Sequence, residues 1–143
     1  MPIRPENRAR YPRDWRELSE RIRHERARNR CECQGECGSS HANGRCNAPN
    51  GAWVLRDETD RAQWSEAKGP QTAGAVRIVL TVAHLDHVPE NCADANLLAL
   101  CQLCHNRLDA PERARRRQER KRAQLAQAGQ RSLPIGGQHE RDE

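Results

Sequence analysis

Residues 81–109 read TVAHLDHVPENCADANLLALCQLCHNRLD and carry three of the chain's six histidines. The β-branched apolar run Val76 to Ala83 leads into them and is typical of a strand that delivers His84 at its end. The apolar segment Asn96 to Leu100 is either a second short strand or the approach to the cysteines that follow it. From Cys104 we expect a helix with His105 in its first turn. The pattern therefore predicts strand, loop, strand and helix.

The seven cysteines predict a zinc site rather than disulfides. The opening MPIRPENRAR lacks the apolar core of a signal peptide, so we expect a reducing compartment, where Cys-x-x-Cys binds metal. The segment CECQGECGSSHANGRC, residues 31–46, places glycine turns between cysteines, as zinc knuckles do. We expect a tetrahedral four-cysteine site made of Cys37, Cys101, Cys104 and either Cys31 or Cys33. His41 and Cys46 are either further ligands or bystanders, and Cys92 is interpreted as a small packing residue.

The composition explains why the fold needs such a metal. The chain has no Phe, one Tyr, three Trp and 35% hydrophobic residues among 143, with a mean hydropathy of −1.08. So little apolar material cannot offset the entropy of ordering the backbone. A structural zinc ion supplies about 10–16 kcal/mol in zinc-finger peptides, which is comparable to the whole net stability of a domain.

Charge is concentrated at the two ends of the chain. Residues 1–30 carry ten arginines against five acidic residues, residues 31–104 are net acidic, and residues 105–131 carry nine basic residues against three acidic ones. Two basic flanks around a metal site favour a polyanion as partner, although two solvated arginine-rich helices give the same pattern. The candidate phosphate-binding arginines are Arg28, Arg30, Arg107, Arg113, Arg115, Arg116 and Arg117.

The pattern divides the chain into three parts. Residues 1–30 are a basic N-terminal segment with a helix from about Asp14 to Asn29, capped by Asp14 and carrying the apolar stripe Trp15, Leu18, Ile22. Residues 31–109 form the zinc-stapled core, with a loop insertion at about 47–74 that makes either a short hairpin or a helical turn. Residues 110–143 are a basic helix that restarts at Pro111, followed by a disordered tail. No run is long enough to span a membrane.

The residues His84, Asn96 and Cys101-x-x-Cys104-His105-Asn106-Arg107 resemble the HNH endonuclease family. The steps of twelve residues from His84 to Asn96 and nine from Asn96 to His105 are similar to those of that family's motif. The resemblance covers residues 76–109. It implies an α+β fold with a small ββα-metal (HNH, His-Me finger) core, flanked here by the N-terminal helix and the basic C-terminal helix.

The resemblance also implies roles for the site residues. His84 is the expected general base, Asn96 holds the loop and orients the base, and His105 binds a catalytic divalent ion, Mg2+ or another, beside the structural Zn2+. Many family members have Asp or His before the base, but this chain has Ala83, so Asp86 or His87 must replace that ligand. In the alternative assignment His84 binds the ion and His87 is the base.

The expected function is a metal-dependent endonuclease that nicks or cuts duplex DNA, leaving 5′-phosphate and 3′-hydroxyl ends. We expect it in the cytoplasm of a bacterial or phage-infected cell. This interpretation requires the rings of His84 and His105 to face one scissile phosphate. The alternative is a catalytically inactive, zinc-stapled nucleic-acid-binding module, which Ala83 favours.

Overall fold

The computed structural model describes residues 3–56 and 64–131, and these form a mixed α+β fold. Contacts divide the chain into two compact units, one ending at Asp109 and the other beginning at Ala110. The five strands of the described residues and the seven cysteines belong to the first unit. The second unit is described as helix up to Arg131, and the predicted disordered tail lies outside the described residues.

The N-terminal helix is present in two segments. A 3-10 turn, Pro5–Arg10, precedes helix α1, Trp15–Glu20, which continues as a π-helical turn, Arg21–Arg26. The predicted apolar stripe is confirmed, because Ile22 is fully buried and Trp15 and Leu18 pack against its cluster. The predicted cap is wrong: the Asp14 side chain makes no capping hydrogen bond.

The predicted loop insertion at 47–74 contributes two strands of a three-stranded antiparallel sheet. The strands are β1, Trp53–Arg56, β2, Trp64–Glu66, and β3, Val76–Arg77, in the order β2-β1-β3. Of the hairpin and the helical turn that the sequence left open here, the hairpin is confirmed, since β1 pairs antiparallel with β2. Strands of four, three and two residues are too short to show a period of two along the sequence.

A hairpin carries the second half of the predicted strand at 76–83. Strand β4, Leu80–His84, pairs antiparallel with β5, Leu97–Cys101, in a register that sets Leu80 opposite Cys101. The apolar run is therefore split, since its first half pairs with β1 and its second half with β5. Between the halves, the Ile78 amide donates to the Ala52 carbonyl and the Ile78 carbonyl accepts from Gly51.

Helix α2 spans Gln102–Arg131 without interruption, so the predicted restart at Pro111 is wrong. A proline inside a helix removes one hydrogen bond and costs about 3 kcal/mol. The flanking run of Arg, Gln, Glu and Ala consists of strong helix formers, which offset that cost. Within the described parts of the chain, no helix is both long and apolar enough to cross a membrane.

The two faces of the hairpin pack against different partners, because side chains alternate along a strand. Leu97 and Ala99 face Ile22 and Ala27 of the N-terminal segment. Ala83 and Leu100 belong to a second cluster that contains the buried cysteines and Leu103 of α2. The cysteines thus occupy the place that large apolar side chains fill in an ordinary core.

Candidate metal sites

Six cysteines and one histidine form two groups, and within each group the ligand atoms all lie within 4.8 Å of one another. One group is Cys31, Cys46, Cys101 and Cys104, and the other is Cys33, Cys37, His41 and Cys104. This cysteine-rich cluster has the donor set of a zinc site. The predicted set of four cysteines does not form one group. Cys31 and Cys33 both take part but belong to different groups, and so do Cys101 and Cys37, while Cys104 belongs to both groups. Cys46 and His41, which the sequence left open, belong to the groups.

The chain brings these residues together by folding 31–33 against 46–48. The Cys31 amide donates to the Ala48 carbonyl at 3.0 Å, and the Cys46 amide donates to the Cys33 carbonyl at 2.9 Å. Gly35 and Gly38, with φ of +123° and +83°, turn the chain around Cys37. The spacing Cys33-x3-Cys37-x3-His41 was the sequence signal for the second group.

Two N–H groups donate to sulfurs of the first group, and such hydrogen bonds favour the thiolate form that binds zinc. Trp64 donates through Nε1 to Cys101 Sγ at 3.4 Å, and the Cys101 amide donates to Cys31 Sγ at 3.3 Å. Hydrogen bonding from Cys104 lowers the pKa of Cys33 to about 5 and lowers the pKa of Cys101, whereas hydrogen bonding with Cys101 raises the pKa of Cys31 and of Cys104. The strand that carries Trp64 is therefore part of the metal environment and not a bystander insertion.

A separate cluster of two imidazoles and a carboxylate lies where the hairpin meets α2. Asp109 Oδ2 is 3.3 Å from His105 Nε2, and Asp109 Oδ1 is 3.5 Å from His87 Nδ1. Thr81 Oγ1 lies 2.6 Å from His105 Nδ1. The three ionisable side chains are 27–31% exposed, so small solutes can reach them. We call His87, His105 and Asp109 the histidine–aspartate cluster.

Asp109 was missed by the sequence analysis, although a signal for it existed. It lies four residues after His105 on α2, and side chains four apart lie on the same helix face. The sequence pattern marks Asp109 only as the end of the segment 76–109 and gives its carboxylate no role.

His87 adopts a left-handed backbone conformation, with φ of +57°. Such a conformation costs a non-glycine residue about 1–3 kcal/mol unless its surroundings hold it in place. Here the His87 amide donates to the His84 carbonyl at 3.1 Å, and the Val88 amide donates to Asp86 Oδ1 at 2.9 Å. The loop thereby directs the His87 ring toward Asp109.

Asn96 and Asp86 hold that loop by reciprocal hydrogen bonds. The Asp86 amide donates to Asn96 Oδ1 at 3.2 Å, and Asn96 Nδ2 donates to Asp86 Oδ1 at 2.8 Å. Asn91 Nδ2 donates to the other carboxylate oxygen at 2.7 Å. Hydrogen bonds from Asn91 and Asn96 lower the pKa of Asp86 to about 2. Both oxygens of Asp86, a candidate metal ligand, are thus used within the loop.

His84 lies among aromatic rings and is 8% exposed. Its ring stacks on Trp15 at a centroid distance of 5.0 Å, meets Tyr11 edge-on at 5.7 Å, and lies 3.6 Å through Nε2 from Cys92 Sγ. Burial lowers the pKa of His84 below its usual value. Thr81 and His84 are three positions apart on one strand and so project to opposite faces. The structure therefore joins His105 to His87 through Asp109 and sets His84 against the N-terminal helix. The expected arrangement, in which the rings of His84 and His105 face one phosphate, is not the one that the structure brings together.

The candidate DNA-binding arginines occupy different environments. In the first unit, Arg28 and Arg30 are exposed, and Arg107 donates to Ser39 Oγ at 3.2 Å. In the second unit, all four candidate arginines are exposed, and Arg115 and Arg116 form ion pairs with Glu112 at 2.7 and 2.9 Å. A charge balanced by a neighbouring carboxylate attracts phosphate less.

Comparisons with protein-family models, curated proteins and solved structures gave no match to this chain. The chemistry of the side chains is therefore what bears on function. The cysteine cluster has the donors of a closed structural metal site, and the histidine–aspartate cluster is a partly exposed set of two imidazoles and a carboxylate, side chains that can accept or donate a proton.

Proposed function

We propose that the chain is a metal-dependent endonuclease of the HNH type, acting on duplex DNA. The observation that carries the proposal is the Asp109 carboxylate, which approaches one imidazole with each of its oxygens at the junction of hairpin and helix. The strand–loop–strand–helix order around it agrees with the resemblance of residues 76–109 to that family.

The donor set is compatible with a divalent ion. An imidazole nitrogen of His105 and the Asp109 carboxylate suit Mn2+, Zn2+ or similar ions, while Mg2+ prefers a shell of oxygens. His105, Asp109 and His87 are the residues that would hold or adjoin the ion. When bound, such an ion supplies positive charge for the phosphoryl oxygens and lowers the pKa of water.

Thr81 and Asp109 position the two histidines. When His105 donates its Nδ1 proton to Thr81 Oγ1, its Nε2, which lies 3.3 Å from Asp109 Oδ2, carries the lone pair that would bind a cation shared with that carboxylate. When His87 donates its Nδ1 proton to Asp109 Oδ1, its Nε2 can take a proton from water. Asn96 contributes by fixing the loop that carries His87.

His84 is the rival general base, the role that the resemblance to the HNH family implies for it. Its pKa is lowered by burial, so it is neutral near pH 7 and able to accept a proton. Its stacking on Trp15 gives it a packing role that accounts for its burial without any chemistry. We therefore assign the base to His87 and treat the two positions as alternatives for experiment.

A plasmid-nicking assay with purified, zinc-loaded protein and added Mn2+ or Mg2+ tests the proposal. We expect His87→Ala and His105→Ala each to lose about 10²–10⁴-fold in rate, the usual effect of removing a general base or ligand. His84→Phe retains the ring stack and should keep most of the activity. His24→Ala is the matched control, because His24 is an exposed histidine of the N-terminal segment.

Three outcomes would contradict this assignment. If His84→Phe loses activity while His87→Ala keeps it, His84 is the general base. If His87→Ala and His105→Ala cleave as fast as the control, the histidine–aspartate cluster has no role in catalysis. If the wild-type chain binds DNA but cleaves it with none of these ions, the protein is the zinc-stapled binding module and not a nuclease.

A further inference from the structure

The two cysteine groups share one ligand, and this sharing limits how metal can bind. Cys104 belongs to both sets of four, and no other described residue does. If each metal ion needed its own four ligands, filling one site would leave the other with only three. Seven ligand residues for two tetrahedral ions require one sulfur to be held in common.

The distances within each group match tetrahedral coordination. With Zn–S of about 2.3 Å and Zn–N of about 2.0 Å, neighbouring sulfurs lie about 3.8 Å apart, and a sulfur lies about 3.5 Å from a nitrogen. Cys46 Sγ is 4.0 Å from Cys101 Sγ in the first group. In the second, His41 Nε2 is 3.7 Å from Cys37 Sγ and 3.8 Å from Cys104 Sγ. Both groups are thus of the size that one zinc ion fills.

The burial and chain path of the ligands also indicate two sites. Cys31, Cys33, Cys101 and Cys104 are fully buried, and His41 is 8% exposed, which is unusual for a histidine in a polar loop. The Cys31-x-Cys33 pair is too close in sequence for one zinc knuckle, yet each member belongs to a different group. The paired segments 31–33 and 46–48 serve both groups at once.

We propose that the chain holds a two-zinc cluster in which the Cys104 thiolate bridges both ions. One ion is bound by Cys31, Cys46, Cys101 and Cys104, and the other by Cys33, Cys37, His41 and Cys104. The six thiols release their protons to solvent on binding, so the loaded cluster retains two negative charges. The Trp64 indole and the Cys101 amide, which donate to ligand sulfurs, partly offset that charge. This cluster is structural and does not depend on the proposed nuclease activity.

Metal counting on the wild-type chain is the first test. Native mass spectrometry together with elemental analysis should give two zinc ions per chain. After exchange with ¹¹³Cd2+, NMR should show two resonances that split each other through the shared sulfur. One metal per chain, two resonances without mutual splitting, or iron in place of zinc would each overturn the proposal. This measurement needs no variant and is therefore independent of any folding defect.

Single substitutions then assign the two ions. Cys46→Ser and His41→Ala should each weaken the binding of one zinc ion and leave the other ion bound. The loss of affinity should exceed the roughly 10–100-fold that follows from losing a residue that only hydrogen-bonds to a ligand. Cys92→Ser is the matched control, since Cys92 lies in neither group, and it should keep both ions. If His41→Ala holds two ions as tightly as Cys92→Ser does, the second site does not exist.

Discussion

At the scale of single residues, Thr81 is the side chain whose role is most easily separated from packing. Its hydroxyl lies 2.6 Å from His105 Nδ1, so it orients a proposed metal ligand without touching the metal itself. Thr81→Val keeps the shape and strand propensity but removes the hydroxyl. We expect affinity for the catalytic ion to fall about 10–100-fold, with the unfolding free energy nearly unchanged.

The measurement for Thr81 is the dependence of nicking rate on Mn2+ concentration. Thr81→Ser is the control, because it retains the hydroxyl and should restore most of the affinity. Equal ion dependence in Thr81→Val and the wild type would show that the contact has no positioning role.

His87 is expected to trade stability for function. Asparagine tolerates the left-handed conformation better than histidine does, so His87→Asn should keep the unfolding free energy or raise it by about 1 kcal/mol while abolishing nicking. His105→Asn is the comparison, since residue 105 is helical and gains nothing from asparagine. Urea denaturation of both variants checks this, and a clear loss of stability in His87→Asn would contradict it.

His84 should make stability depend on pH. Burial lowers its pKa in the folded chain, so the unfolded chain binds a proton more readily below about pH 6.5. The stability of the wild type relative to His84→Phe should therefore decline as the pH falls from about 7.5 to about 5.5, a window that spans the usual histidine pKa. Denaturation of both proteins with excess zinc measures this difference, in which the pH dependence of zinc binding cancels. A difference that stays constant with pH would rule out a depressed pKa.

At the scale of the element, the part of helix α2 that lies in the second unit is exposed and rich in charged residues. Every described residue from Arg113 to Gln130 is exposed. Arg117, Arg120 and Lys121 fall on one side of the helix, at spacings of three and four residues. On another side Glu112 pairs with Arg115 and Arg116, so those charges are locally balanced.

DNA binding should depend on the first of these sides. Replacing Arg117, Arg120 and Lys121 together with glutamine should reduce the slope of log affinity against log salt concentration by about 2–3, as each lost phosphate contact removes about 0.9. Replacing Arg115 and Arg116 is the control and should change the slope less. Fluorescence anisotropy on a short duplex at several salt concentrations measures both. If the two variants show equal salt-dependence slopes, the side of the helix that carries Arg117, Arg120 and Lys121 has no special role in DNA binding.

At the scale of the whole molecule, the core of the first unit is built around a cysteine cluster that could hold metal ions. Six cysteines stand in or beside the main core cluster, where most domains have leucine, valine and phenylalanine. A structural zinc ion contributes about 10–16 kcal/mol in zinc-finger peptides, against a net domain stability of about 5–15 kcal/mol.

Removing the metal should therefore unfold this unit. A strong chelator is expected to abolish the cooperative thermal transition and to change the fluorescence of Trp64, whose indole contacts Cys101. Adding back zinc should restore both signals, whereas Mg2+, which prefers oxygen ligands, should not. A chelated protein that melts at the same temperature as the zinc-loaded one would mean that the apolar core suffices.

The sequence alone determined what depends on local pattern and residue chemistry. The N-terminal helix stripe, the strand that ends at His84 and a cysteine-rich cluster follow from short-range periodicity and spacing. The segment 96–100 was left open between a strand and the approach to the cysteines, and only the pairing with β4 makes it a strand. The tertiary structure decided what depends on pairing between distant segments. Only the folding of 31–33 against 46–48 allots Cys31 and Cys33 to different groups, and only the face alternation of β4 separates His84 from Thr81 and His105. Spacing along the chain fixes which residues are near in sequence, but strand register and helix docking fix which atoms meet.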